Sequence, residues 1–213
     1  MFESMALSCL IFLPAFFALL ILSNKALTHH GFVIGLLSSA ISLLLSLYIA
    51  SHVPFSGEYV FQESGSWWLE GIDYRLAVDG LAASLIVLTA VIFPLCILSV
   101  QKIKKMPHMI ALLLLLQTTI FGVFSAQDLV LFYLFFEASL IPMYLIIGIW
   151  GGAGRIAAGF KFFLYTLAGS LLMLVAIIYI YRQVGSTAFY DIMAYNFSFE
   201  QQKWLWLAFF SAL

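Results

Sequence analysis

Apolar runs of about twenty residues recur along the chain, separated by short polar turns. Met5–Leu22, Gly31–Ala50, Leu81–Val100, Met109–Phe124, Leu129–Trp150 and Phe160–Tyr181 carry almost no charge. A hydrocarbon core about 30 Å thick takes about 20 helical residues to cross, so these runs predict six complete transmembrane helices. Met109–Phe124 is slightly short, which a smaller tilt or its flanking residues can accommodate. Pro14, Pro94 and Pro142 fall inside runs, where a surrounding bundle can satisfy the carbonyl each one frees. A seventh apolar helix opens at Lys203–Leu213, and about 11 residues cannot cross a bilayer. The sequence as given is therefore expected to stop inside a membrane segment.

The polar stretches refine this picture. Phe55–Leu76 is the longest between apolar runs, and Trp67-Trp68 flanked by acids suits a segment lying at the membrane–water boundary. Asp79 is expected to cap the third helix. Gly151-Gly-Ala-Gly154 is a tight turn, and residues 182–202 are expected to form a loop. With the N-terminus outside, the inner connections hold Lys25, Lys102, Lys104, Lys105, Arg155 and Lys161, and the outer side holds Arg75, Arg182 and Lys203. That basic bias predicts an N-outside orientation.

Composition closes off other classes. The chain is 64% hydrophobic and 9% charged, with a mean hydropathy of +1.10, against about 25% charged residues in soluble domains. The fold class expected is all-α, a polytopic transmembrane bundle of six spans and part of a seventh. A net charge of −1 without a basic stripe excludes nucleic acid as a partner and leaves the lipid bilayer. Cys9 and Cys96 read as small buried hydrophobes. The four histidines show no metal-ligating spacing.

One residue breaks the pattern. Glu137 lies about 13 Å past Asp128 along a helix, near the middle of an apolar run, where a charge costs roughly 2.5–3.5 kcal/mol or more. Tyr133, Glu137 and Tyr144 share a helical face within about 60°. Pro142 leaves the Ala138 carbonyl without its usual donor. Such a face can hold water and relay protons. A protonated Glu137 that only fixes helix packing is the alternative, and the default for intramembrane acids favours function. Lys161 could snorkel to the inner surface, or turn inward and bias the ionisation of Glu137. Ala168 or Gly169 would let another helix approach closely.

No dinucleotide fingerprint, phosphate-binding loop, cysteine cluster or haem-ligating histidine pair is present. Phe132-Tyr-Leu-Phe-Phe-Glu137-Ala-Ser-Leu-Ile-Pro142-Met-Tyr, followed by Arg155-Ile-Ala-Ala-Gly-Phe-Lys161-Phe-Phe-Leu-Tyr165-Thr-Leu-Ala-Gly169, resembles one family. It is the M subunit (mitochondrial chain 4) family of proton-pumping NADH:quinone oxidoreductase, respiratory complex I. Tyr74-Arg-Leu-Ala-Val-Asp79-Gly80 looks like the element before that family's third helix. The resemblance implies that 1–108 is an N-terminal three-helix region and that 109–213 begins an antiporter-like repeat.

It further implies that Glu137 is the carboxylate of a proton half-channel, paired with a lysine on the next-but-one helix. That lysine would lie just beyond Leu213, and Lys161 does not inherit its role, leaving it at most an auxiliary charge. The chain would be a fragment of a subunit of an H+-translocating NADH:ubiquinone reductase in the bacterial or mitochondrial inner membrane. Its partners would be neighbouring antiporter-like subunits of the membrane arm. No cofactor is expected in this chain; NAD, FMN, iron–sulfur clusters and quinone would reside in partner subunits. A cation/proton antiporter subunit, a membrane-bound hydrogenase subunit and an inert fragment are the alternatives.

Overall fold

The computed structural model describes residues 5–23, 28–54, 58–66 and 71–212. Helices dominate because, in an apolar medium, the backbone N–H and C=O groups of a spanning run have only their own helix to bond with. They are α1 (Ala6–Ser23), α2 (Gly31–Ser51), α3 (Gly80–Ser99), α4 (Met106–Ser125), α5 (Leu129–Trp150) and α6 (Arg155–Val184). All six are long and apolar enough to span, as the hydropathy pattern predicts. Two shorter helices come after them, α7 (Phe189–Ala194) and α8 (Phe199–Phe210).

The chain groups into two compact units: Met1–Glu63 with Leu76–Ser125, and Ser64–Arg75 with Ala126–Leu213. The fourth helix packs with the first three in the first of these units. In the first unit, α1–α4 bury Leu7, Leu10, Ile11, Ile86, Ile97, Ile110 and Phe121 completely or nearly so. Close approaches use glycine. A Cβ at Gly31 would press on Pro107, and one at Gly35 would collide with Ile110, so α2 and α4 meet at these two positions. Asp79 caps α3, accepting from the Ala82 N–H at 2.7 Å.

Several boundaries differ from expectation. The stretch read as interfacial contains a two-stranded sheet, β1 (Val60–Ser66) with β2 (Asp73–Val78). Its strands are short and flanked by acids, so hydropathy could not announce it; Lys25 and Trp67-Trp68 lie outside the described residues. The sixth span extends to 30 residues, about 45 Å, so it reaches past the hydrocarbon. It stops at Gly185, whose φ of 78° lets its N–H bond the Tyr181 carbonyl at 2.8 Å. The expected loop at 182–202 holds α7 and the first turn of α8, which starts at a capping box formed by Ser198 and Gln201.

Glu63 on β1 is nearly buried. Its carboxylate accepts from the Leu7 N–H at 2.8 Å, from the Ser8 N–H at 3.2 Å and from the Ser8 hydroxyl. These donors lie in the first turn of α1, whose N–H groups have no partners within the helix. A carboxylate distant in sequence thus caps the first transmembrane helix and ties β1 to it. Glu63→Ala is expected to lower stability by about 1–3 kcal/mol, read as a shifted unfolding midpoint in detergent, with hydrogen exchange rising first at Leu7 and Ser8. Unchanged exchange at those amides would exclude the cap.

Candidate functional site

The helix that carries Glu137 begins at a buried carboxylate. Asp128 is fully buried and has the extended backbone of an N-cap. One oxygen accepts from the Val130 and Leu131 N–H groups at 2.8 and 3.2 Å. The other accepts from the Thr187 hydroxyl at 2.6 Å. Around it the backbone is stitched from three segments. The Gln127 N–H donates to the Arg75 carbonyl, the Leu129 N–H to Thr187, the Phe189 N–H to Gln127 and the Thr187 N–H to Gly71. An Asp directly before a long apolar run was the available signal for the cap; the distant Thr187 had none.

From that start, α5 lies against α6 in an antiparallel register. The Tyr133 hydroxyl lies beside both Glu137 and Ser170. Two turns after Glu137, the Tyr144 ring covers Gly159, where a Cβ would touch it at 3.4 Å, and packs edge-on to Phe160 at 6.0 Å. Positions 133 and 144 therefore oppose 170 and 159, and position 137 falls level with Thr166. The three α5 residues and the three α6 residues have the same spacing, four then seven, so each set forms one face. Tyr133, Glu137 and Tyr144 thus lie along the side of α5 that meets α6, where Gly159, Thr166 and Ser170 stand opposite them.

Glu137 is half-buried, and its Oε1 is buried without a hydrogen-bond partner among the described residues. Thr166 and Ser170 donate their hydroxyl protons to carbonyls of their own helix, Phe162 and Leu167. Their oxygens remain acceptors towards α5. A protonated Glu137 can donate to such an oxygen, and an ionised one can accept from Tyr133. The carbonyl of Ala138, freed by Pro142, adds an acceptor one residue away. The arrangement can therefore present a hydrogen bond to Glu137 in either protonation state.

Lys161 is exposed, and no ion pair joins it to Glu137; the described residues contain the Arg75–Asp73 pair at 2.6 Å. Tyr165, on its face, is 78% exposed. Gly169 is the place where α6 admits a neighbour, because a Cβ there would collide with the Ser211 carbonyl and Ala212 at the end of α8. Ala212 joins Leu129, Met173, Ile177 and Ile180 in one core, against which Tyr133, Phe136 and Phe209 pack. The end of α8 thus reaches the segment of α5 just before Glu137. No cluster of metal-ligating side chains occurs among the described residues.

Residues 126–213, which hold Asp128, Glu137 and the facing residues of α6, match the family model described as NADH:quinone oxidoreductase/Mrp antiporter, transmembrane. The chain belongs to this family of antiporter-like membrane subunits. It is 43% identical to NADH-quinone oxidoreductase subunit M of Rhodobacter capsulatus, over 82% of the chain and 34% of that protein. With subunit M of Rickettsia typhi the identity is 40%, over all of the chain and 46% of the relative. The structure of respiratory complex I from Thermus thermophilus contains a chain that superposes with a TM-score of 0.86 at 30% identity, covering 97% of this chain and 43% of that one. The chain thus spans less than half the length of the curated relatives it matches. It is an integral, multi-pass membrane protein of the antiporter-like fold.

The Asp128 knot sets the level of everything along α5, and its loss should be costly. Asp128→Ala is expected to cost about 2–4 kcal/mol, combining a lost cap with an unpartnered buried Thr187 hydroxyl. Asp128→Asn, which keeps a capping oxygen, should cost clearly less. A double-mutant cycle with Thr187→Val in denaturant unfolding checks this; additive effects would show that the two side chains do not act together.

Proposed function

We propose that this chain contributes a proton half-channel to the membrane arm of respiratory complex I, with Glu137 as the relay carboxylate. The observation that carries the reading is the buried, unpartnered Oε1 of Glu137 on a face shared with hydroxyl groups of two helices. An intramembrane acid held for packing alone would be expected to have both oxygens satisfied. Glu137 instead keeps one oxygen open, beside a phenol and at the level of a threonine, in an otherwise apolar span. Protons would move between the Glu137 carboxyl and water or hydroxyl neighbours on that face, driven by quinone reduction elsewhere in the assembly.

Family membership supports the wider frame. The relatives are named as subunits of NADH-quinone oxidoreductase, a translocase in which this chain would move protons while NAD, FMN, iron–sulfur clusters and quinone are handled by partner subunits. Neighbouring antiporter-like subunits are its proposed partners, in a bacterial or mitochondrial inner membrane, with the N-terminus outside. The exposure of Lys161 supports the snorkelling role over a direct partnership with Glu137. The family description also covers Mrp antiporters, so a subunit of a cation/proton antiporter is the second reading.

In the assembled complex, Glu137→Gln is expected to leave assembly intact and to reduce NADH-driven proton pumping by at least about tenfold. Normal pumping would overturn the relay role. Proton movement independent of NADH oxidation but coupled to a sodium gradient would favour the antiporter reading.

A further inference from the structure

The second polar feature of the molecule lies in the first unit and has no carboxylate. The buried face of α2 consists of Gly31, Gly35, Ser38, Ser39, Ser42, Ser46 and Ile49, an unusual lining for a transmembrane core. Gln117 on α4 is fully buried, and neither its amide nitrogen nor its amide oxygen has a hydrogen-bond partner among the described residues. The hydroxyl of Ser38, also fully buried, has none among the described residues either.

Gln117 and Ser42 lie at one depth, with Ser38 one turn earlier on α2. Gly31 meets Pro107 and Gly35 meets Ile110, so α2 and α4 run parallel. Seven residues further along each, which is about two turns, Ser42 comes level with Gln117. Both stay on the contacting face, because seven residues return a helix to within about 20° of its starting direction. On α3, Ile97 also lies against the Gly35 position. That helix runs the other way, and seven residues back stands Ala90. On α1, Ile21 lies beside Gly31, and eleven residues in the opposite directions pair Leu10 with Ser42.

Proline then acts twice at this depth. Pro94 lies four residues after Ala90 and Pro14 four after Leu10. Each proline lacks the N–H that would bond that carbonyl. Four helices therefore bring an unpartnered primary amide, serine oxygens and two freed carbonyls to a single layer. Ser42 donates to the Ser38 carbonyl at 3.0 Å, which leaves its own oxygen as an acceptor for the Gln117 amide protons or for a bridging donor.

We propose that this layer is an internal water-binding site, centred on Gln117 and bounded by Ser38, Ser42 and the Leu10 and Ala90 carbonyls. Water is the ligand that fits, since it both donates and accepts and typically needs two to four polar partners when buried. Donors (the amide N–H2 and the Ser38 hydroxyl) and acceptors (the amide oxygen, Ser42 and the two carbonyls) are both present. The spans of this unit contain no Asp, Glu, Lys or Arg, so the site holds water without holding charge. In this it differs from the Glu137 face.

The test is water-to-protein magnetisation transfer by solid-state NMR on the full chain in lipid bilayers, with nitrogen-labelled glutamine side chains and the Gln117 signal assigned by its loss in Gln117→Leu. The Gln117 amide is expected to receive water magnetisation at a rate within about threefold of exposed Gln62. Transfer about tenfold or more below Gln62, as for an amide bonded directly to a carbonyl, would overturn the site. Ser42→Val, which removes an acceptor and fills the layer, is expected to slow transfer to Gln117 several-fold while exposed Gln62 is unaffected. An unchanged rate in a folded Ser42→Val variant would equally overturn it, and the wild-type rate stands as a test even if that variant fails to fold.

Discussion

Asp128 fixes where the helix that carries Glu137 starts, and its buried carboxylate is the constraint on which the second unit depends. A helix in hydrocarbon can slide or rotate against its neighbours with little penalty, because lipid and apolar side chains solvate it about equally. What resists sliding is polar and local. By capping α5 and accepting from Thr187, Asp128 couples the start of that helix to the chain just after α6. Tyr144 over Gly159 fixes the opposite end of the pairing. Between these two points Glu137 has one depth and one direction, level with Thr166.

The same economy governs the first unit. Glu63 reaches across the sequence to cap α1, as Asp128 caps α5, and glycines at positions 31 and 35 set the register of α2 against α4. Interior prolines recur in a consistent way. Pro14, Pro94 and Pro142 each remove a backbone donor inside a span and free the carbonyl four residues earlier, that of Leu10, Ala90 and Ala138. In a medium where an unbonded backbone group is costly, such prolines persist where something else can bond the carbonyl. The two units thus share a logic: apolar exteriors, a few small residues for contact, and polar layers at chosen depths.

Much of this was legible in the sequence. Six spans, the Asp79 cap, the shared face of Tyr133, Glu137 and Tyr144, and the role of Gly169 in close approach all derive from periodicity and residue size. These are local properties, written every three or four residues along a helix. The β1–β2 sheet was hidden, because short strands among acids carry no hydropathy signal. α7 was hidden too, since it has six residues, and so was the first turn of α8, which begins among polar residues before the apolar run at 203.

The sequence by itself determined that the chain crosses a membrane, how many spans it describes and which carboxylate stands in their midst. The reason is that hydrocarbon imposes a length and a composition that any spanning segment must show. Only the tertiary structure decided which helices face one another and at what register. It opposed Ser170, Thr166 and Gly159 to the Glu137 face and left Lys161 exposed and unpaired with that carboxylate. It also brought Gln117 level with Ser42 and two proline-freed carbonyls. Such meetings depend on contacts between residues far apart in the chain, which a periodic pattern along one helix cannot encode.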